Sequence, residues 1–365
     1  MTPNTTYDVV IVGASFAGLA VVSRLRGRVL LIDRKPIGEG QTSACATPVE
    51  LVQRLAGPEA ILQVHHLGLV HLSKACLKYR LPGPFCTFDY KCFCELVFRH
   101  TTAEFVQATA LTTDAGSVVT SAGTFRGRCI VDASGWRAVL ANSLDSSFRA
   151  KQRLAFGVES DVAARDEGLH FWLDEDGKKA YGWSFPCGDF NRVGWIGYQG
   201  SEGVKGRLKE FERSLEVERG EAHGGFLSWG MHEPVQQGVF LVGDSAGQCL
   251  PLTAEGIRTA VYFGQSCGDA IQDLLDGRLT KEQAIENYRK VVSRFRPVYR
   301  TMESIQRQLA RWPMPAIGLV GRLYGLPLVS SLVLSRYLRA FPTSPVSSGK
   351  QGEAGLREVS QTEVG

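Results

Sequence analysis

Apolar and polar positions along this chain switch between two periods, and the switches mark its elements. Val9–Val12 is a continuous apolar run, the pattern of a strand buried on both faces. A small-residue turn (Gly13, Ala14, Ser15) follows, then a helix-compatible segment, then a second β-rich run ending in Asp33. This strand–turn–helix–strand order predicts a dinucleotide site. Gly13 lets the backbone turn sharply, and Gly18 lets the helix lie close to the strand. The helix start offers free N–H groups and a positive dipole end to a pyrophosphate. Asp33 stands twenty positions after Gly13, where a carboxylate accepts ribose hydroxyls. Ser15 takes the place of the middle glycine; it is small, and its hydroxyl can donate to phosphate.

Residues 49–68 start with helical spacing, broken at Gly57 and Pro58. His65 and His66 are adjacent, so they cannot both face one site in a strand and form no metal pair. Residues 70–80 read as a strand that ends at the breaker 81–84 (LPGP), and 88–100 carry helical spacing. Short β runs fill 101–124, and 129–131 form a buried strand that ends in the tight turn 132–135.

Further β runs cover 152–162, 170–173, 180–186 and 192–198. Within the third, Tyr181, Trp183 and Phe185 share one face while Gly182 and Ser184 take the other. Such a face is either core or the wall of an apolar pocket lying against a flat cofactor ring. Residues 203–218 form a charged, helix-prone stretch.

The second strong signal is 239–257: a buried strand, Gly243–Asp244 at its end, a small-residue loop, and a helix from Ile257. Asp244 can hold a ribityl or ribose hydroxyl, and the helix start aims its N–H groups at what lies there. Two helices are expected over 280–296 and 297–310. Residues 313–338 are mostly apolar but are interrupted by Arg322, Gly325 and Pro327, which argues against a membrane span. They form either a helical pair closing the substrate domain or, with Arg307, Arg311, Arg322, Arg336 and Arg339, an interfacial anchor and so a peripheral membrane contact. Residues 342–365 read as a disordered tail.

Composition narrows the class. A chain of 365 residues can bury a large core and hold two domains, and a net charge of +4 gives no case for nucleic acid. Nine cysteines, scattered and without a CxxC pair, read neither as a disulfide framework nor as a zinc site. Together with an N-terminus lacking a basic n-region, they point to a cytoplasmic protein without a bound metal.

Three strings together resemble the FAD-dependent oxidoreductases related to para-hydroxybenzoate hydroxylase, and within that superfamily are most similar to the geranylgeranyl reductase family. They are GASFAG with Asp33, GDSAGQCLPLTAEGI from Gly243 to Ile257, and Tyr181-Gly-Trp183-Ser-Phe185-Pro186. The resemblance implies an α/β protein: a Rossmann-like FAD-binding domain with an inserted antiparallel β-sheet substrate domain and C-terminal helices. FAD-binding parts would cover 1–65, 86–147 and 231–276, and substrate-domain parts 66–85 and 148–230. A helical region over 277–341 and the tail would follow.

The resemblance assigns FAD contacts to Gly13, Ala14, Ser15, Gly18, Asp33 and Arg34, and to Gly243, Asp244, Gly247, Pro251, Gly256 and Ile257. It assigns a substrate pocket to Tyr181, Trp183, Phe185 and Pro186. The implied reaction passes hydride from flavin reduced by an external donor, NAD(P)H or ferredoxin, to an alkene of an isoprenoid or lipid-like substrate. An acid protonates the other carbon, with Cys45 or Tyr181 as that acid. Ala46 stands where this family usually places glycine after the cysteine, and Ala254 where it places glycine before Glu255. The stretch 132–137 (DASGWR) lacks the DG dipeptide of the NADPH-dependent hydroxylases. A flavin-dependent monooxygenase or halogenase, the latter with a lysine over the flavin, is the alternative; a flavoprotein electron carrier docking to a donor protein is the third reading.

Overall fold

In the computed structural model, two eight-stranded sheets organise the chain. The structure describes residues 6–345 except 73–74, 164–165, 174–179, 219, 310 and 325, so the expected tail falls, from 346 on, outside the described residues. The elements are β1 (Thr6–Val12), α1 (Phe16–Val22), β2 (Val29–Asp33), β3 (Ala46–Pro48), α2 (Val49–Leu55), β4 (Ile61–Leu72) and β5 (Ala75–Phe88). Next come α3 (Tyr90–Arg99), β6 (Glu104–Gln107), β7 (Ala110–Thr113), β8 (Ser117–Thr120), β9 (Gly123–Asp132) and α4 (Val139–Leu144). Then follow β10 (Arg153–Val162), β11 (Leu169–Leu173), β12 (Ala180–Pro186), β13 (Asn191–Gly197), α5 (Val204–Ser214) and β14 (Ala222–Trp229). The last are β15 (Val235–Gln236), β16 (Val239–Leu241), α6 (Ile257–Leu275), α7 (Lys281–Leu309), α8 (Met314–Tyr324) and α9 (Pro327–Ala340).

The first sheet runs β15-β16-β9-β1-β2-β6, with the β7–β8 hairpin attached to β9. Strands β16, β9, β1, β2 and β6 are parallel, and Val9, Ile11, Leu31 and Val131 are fully buried along them. The register sets Val12 beside Ile32 and Asp132, and Leu241 beside Asp132. Four strand ends therefore open on one edge, the crevice where such sheets bind ligands.

The second sheet runs β14-β10-β13-β12-β11-β4-β5-β3 and is antiparallel except for the β11–β4 pair. Its two faces follow from the two-residue period. Val158, Val193 and Trp195 line one face, under Leu208 and Phe211 of α5. Tyr181, Trp183, Phe185, Phe171 and Ile196 form the other, against Ala44, Ala46 and Ala254. Gly194 has no side chain because the Trp183 indole lies on it: a Cβ there would sit 2.1 Å from Trp183 Cζ2.

Two expectations from the sequence change. The LPGP stretch does not end its strand; it lies inside β5. Pairing jumps from His65–Phe85 to Leu67–Arg80, so residues 81–84 form an irregularity that absorbs two prolines lacking N–H groups. Likewise α7 runs unbroken through Pro297, whose carbonyl accepts the Thr301 hydroxyl.

His65 ties the two long hairpins together. Its Nε2 lies 3.1 Å from the Pro186 carbonyl and 3.2 Å from Thr87 Oγ1. Burial lowers its pKa to about 4, so the folded protein holds the imidazole neutral. A folded pKa below the unfolded value gives stability that is present above about pH 6.5 and lost as pH falls toward 4. We predict that unfolding free energy measured against pH drops by up to about 3 kcal/mol across that window, and that His65→Gln removes this component.

Candidate active site

The open edge of the parallel sheet gathers the residues singled out at both strong motifs. Gly13 turns at φ +112°, and a Cβ there would lie 2.1 Å from the Ala133 carbonyl oxygen. Asp33 accepts the Ala14 N–H at 2.8 Å and the Lys35 N–H at 3.0 Å. These bonds fix the carboxylate at the strand end and leave lone pairs for hydroxyl donors. No side chain caps α1, and Ser15 does not serve as one; its hydroxyl accepts a hydrogen bond from buried Tyr90 at 3.0 Å. That explains serine at a position where glycine is usual: it partners α3 while its own proton stays available. Arg34 is exposed beside Asp33, and Arg137 lies near enough for the two guanidiniums to repel.

Asp132 has a different task. Its carboxylate accepts from Ser134 N, Ser134 Oγ, Leu140 N, Ala141 N and Ser245 Oγ. It locks the β9 end to the start of α4 and to the turn after β16. Asp244 sits in that turn with only partial burial, and accepts the Ser228 N–H at 3.2 Å. Burial pushes its carboxyl up to about 7. Gly243 (φ +68°) and Gly247 (φ +64°) bound the turn, and Pro251, Gly256 and Ile257 lead into α6, which has no side-chain cap.

The aromatic face of the second sheet closes the other side. The Tyr181 hydroxyl donates to the Thr253 carbonyl at 2.7 Å, tying β12 to the loop before α6. Tyr198 packs edge-on against Trp229, 5.9 Å between rings. The Tyr198 hydroxyl and Trp229 Nε1 are buried without hydrogen-bond partners among the described residues. Burial holds the Tyr198 hydroxyl well above its ordinary pKa. Pro186 is buried, and its carbonyl serves Thr87 and His65.

On the same face as Trp183 lies a polar group that sequence reasoning missed. Glu159, 2% exposed, accepts Trp183 Nε1–H at 3.1 Å and pairs with His223 at 2.9 Å. The hydrogen bond to Glu159 carries the His223 pKa upward. Arg192, 4% exposed, donates to the carbonyls of Ala44 (3.3 Å) and Phe88 (3.0 Å). The only signal in the sequence was their place on the Trp183 side of alternating strands.

Cys45 is fully buried at φ +48°, in the loop just before β3. Ala44 and Ala46 pack toward the aromatic face, while Cys45 joins the core of the parallel-sheet domain with Tyr90 and Cys94. Burial pushes its thiol well above the ordinary cysteine range, and the Arg192 charge pulls it partly back. All nine cysteines are free thiols.

An extended dinucleotide fits these residues. At one end are the uncapped α1 start, Gly13 and Asp33; at the other are partly exposed Asp244 with spare acceptor capacity and the orphaned donors Tyr198 and Trp229. Among the described residues no group of metal-ligating side chains occurs.

No family model matches the chain. It is 31% identical over 160 residues to a digeranylgeranylglycerophospholipid reductase of Methanothrix thermoacetophila, covering 41% of this chain and 39% of that protein. It is 29% identical over 145 residues to digeranylgeranylglycerophospholipid reductase 2 of Methanopyrus kandleri, covering 35% and 36%. The match thus spans less than half the length of either relative. Among solved structures, a geranylgeranyl bacteriochlorophyll reductase-like protein of Thermoplasma acidophilum superposes with a TM-score of 0.78 at 15% identity, covering 92% of this chain and 99% of that one. The flavin-dependent brominase Bmp2 superposes at 0.72 and 16% identity, covering 93% and 95%. The chain has the fold of the FAD-dependent oxidoreductases, and over about two fifths of its length it is similar in sequence to geranylgeranyl-type lipid reductases.

Proposed function

We propose that this protein is an FAD-dependent oxidoreductase that reduces carbon–carbon double bonds of an apolar, isoprenoid or lipid-like substrate. The observation that carries the reading is the aromatic face of Tyr181, Trp183, Phe185 and Tyr198, set against the loop between Asp244 and α6. Such a wall suits a long apolar chain better than a polar one. The names of the sequence relatives, both lipid reductases, support the same class.

Gly13, Ala14, Ser15, Gly18, Asp33 and Arg34 would hold the ADP half of FAD. Gly243, Asp244, Gly247, Pro251, Gly256 and Ile257 would hold the rest. When bound and reduced, the cofactor supplies the hydride. The protein's part is to exclude water, orient the alkene and deliver a proton. Glu159 fixes the Trp183 indole and so the shape of the wall. We assign the proton to the Tyr198 hydroxyl, which burial keeps protonated and which makes no hydrogen bond among the described residues. Tyr181 spends its proton on Thr253, and Cys45 packs into the core of the parallel-sheet domain.

The halogenase reading requires a lysine over the flavin. Lys78, Lys91, Lys151, Lys205, Lys209 and Lys290 are exposed. Lys35 bonds the Gly40 carbonyl, and Lys281 reaches the Arg128 carbonyl. Among the described lysines none supports that role; Lys74, Lys178, Lys179 and Lys350 lie outside the described residues.

Three outcomes check the proposal. Flavin reduced anaerobically on the protein is expected to be reoxidised by a prenyl alkene without oxygen; a peroxyflavin absorbance on adding air, with no response to alkenes, would favour oxygenase or halogenase chemistry. Asp244→Ala is expected to weaken FAD binding about tenfold or more in an absorbance titration, as for loss of a hydrogen bond to a charged group. Tyr198→Phe is expected to lower single-turnover reoxidation by about a hundredfold or more, while Cys45→Ala stays within about threefold; the reverse order would return the acid role to Cys45.

A further inference from the structure

Helices α8 and α9 turn an apolar surface outward. Leu319 is 62% exposed, Leu323 54%, Leu326 51%, Leu332 49% and Val333 45%. The positions follow helical stripes: 319 and 323 on α8, and 329, 332, 333 and 336 on α9. The inward sides are in use. Ile317 and Ser330 are buried, Gly321 faces Leu72 and Leu77 of the long hairpin, and Tyr337 bonds Glu255. Seven large aliphatics left on one helical pair exceed the single exposed residues normal for a soluble surface.

Charge says what covers them. From Ser304 to Gly352 the chain contains no Asp or Glu, but it contains Arg307, Arg311, Arg322, Arg336, Arg339 and Lys350. These six cations exceed the net charge of the whole chain, +4. All five arginines are exposed, and Arg336 extends the α9 stripe itself. Beside α9, a cavity of about 540 Å³ between Ser330 and the hairpin adds His66, Lys78 and Arg80. The last residues of the sequence make a poor alternative cover: 346–365 hold only four large aliphatics, interspersed with Glu353, Glu358 and Glu363. Among the described residues no helix is long and apolar enough to cross a membrane.

We propose that α8 and α9 dock this protein on an anionic lipid surface, the apolar stripes entering the headgroup boundary and the arginines meeting the lipid charges. The inference stands apart from the reaction, because binding is read without turnover. The full chain is sedimented with vesicles of phosphatidylglycerol and phosphatidylcholine, and with vesicles of phosphatidylcholine alone. Co-sedimentation is expected with the anionic vesicles at about 0.1 M salt and is expected to weaken strongly near 1 M. Arg322→Gln and Arg336→Gln should each lower the partition coefficient about fivefold. Leu323→Asp should abolish binding while leaving the thermal midpoint unchanged. Absence of binding to the anionic vesicles would overturn the proposal. So would light scattering that shows a dimer dissociated by Leu323→Asp, since a second copy would then be the cover.

Discussion

The buried guanidinium of Arg192 joins the two halves of this molecule. A cation this far from water persists only when it is paired or hydrogen-bonded. Arg192 Nη1 donates to the Ala44 carbonyl in the loop after β2 and to the Phe88 carbonyl just before α3, while its Nε makes no hydrogen bond among the described residues and is balanced by the Asp161 carboxylate 3.9 Å away. One side chain of the second sheet thus fixes the path of a loop that belongs to the dinucleotide domain. That path decides which loop side chains reach the aromatic face: Ala44 and Ala46 do, and Cys45 is turned toward the other core.

Two further ties complete the enclosure. Asp132 gathers the ends of β9 and β16, so the turn carrying Asp244 has a fixed place relative to Gly13. Glu255 is held by Arg258 Nε and Nη2, at 2.6 and 2.8 Å, and by the Tyr337 hydroxyl. Arg258 in turn donates to the Phe341 carbonyl at 2.7 Å. The loop before α6 is therefore bound to the C-terminal helices as well as to Tyr181. The proposed FAD-holding residues come from the parallel sheet, the apolar wall from the antiparallel sheet, and the last helices brace the junction.

Local chemistry made the parallel-sheet half readable from sequence. The run before Gly13, the acid at Asp33 and the Gly243–Ile257 string depend on residues close together in the chain. The face of Tyr181, Trp183 and Phe185 was readable for the same reason, since a strand alternates whatever surrounds it. Glu159, Arg192 and Tyr198 were not singled out, because their importance comes from which strands lie side by side and which loop crosses them. Ser15 could not be explained until α3 placed Tyr90 over it. The LPGP stretch and Pro297 misled for a related reason: each breaks a local rule that a long hairpin or a well-packed helix overrides.

The proposed function places FAD along the open edge of the parallel sheet, with its ring between Asp244, Ile257 and the aromatic face. A crystal structure of the FAD-loaded protein tests this most directly. The expected structure has the adenosine ribose on Asp33, a ribityl hydroxyl on Asp244, and the flavin ring facing Tyr198 and Trp183. A ring held away from that face, or a flavin bound away from Asp33 and Asp244, would contradict it.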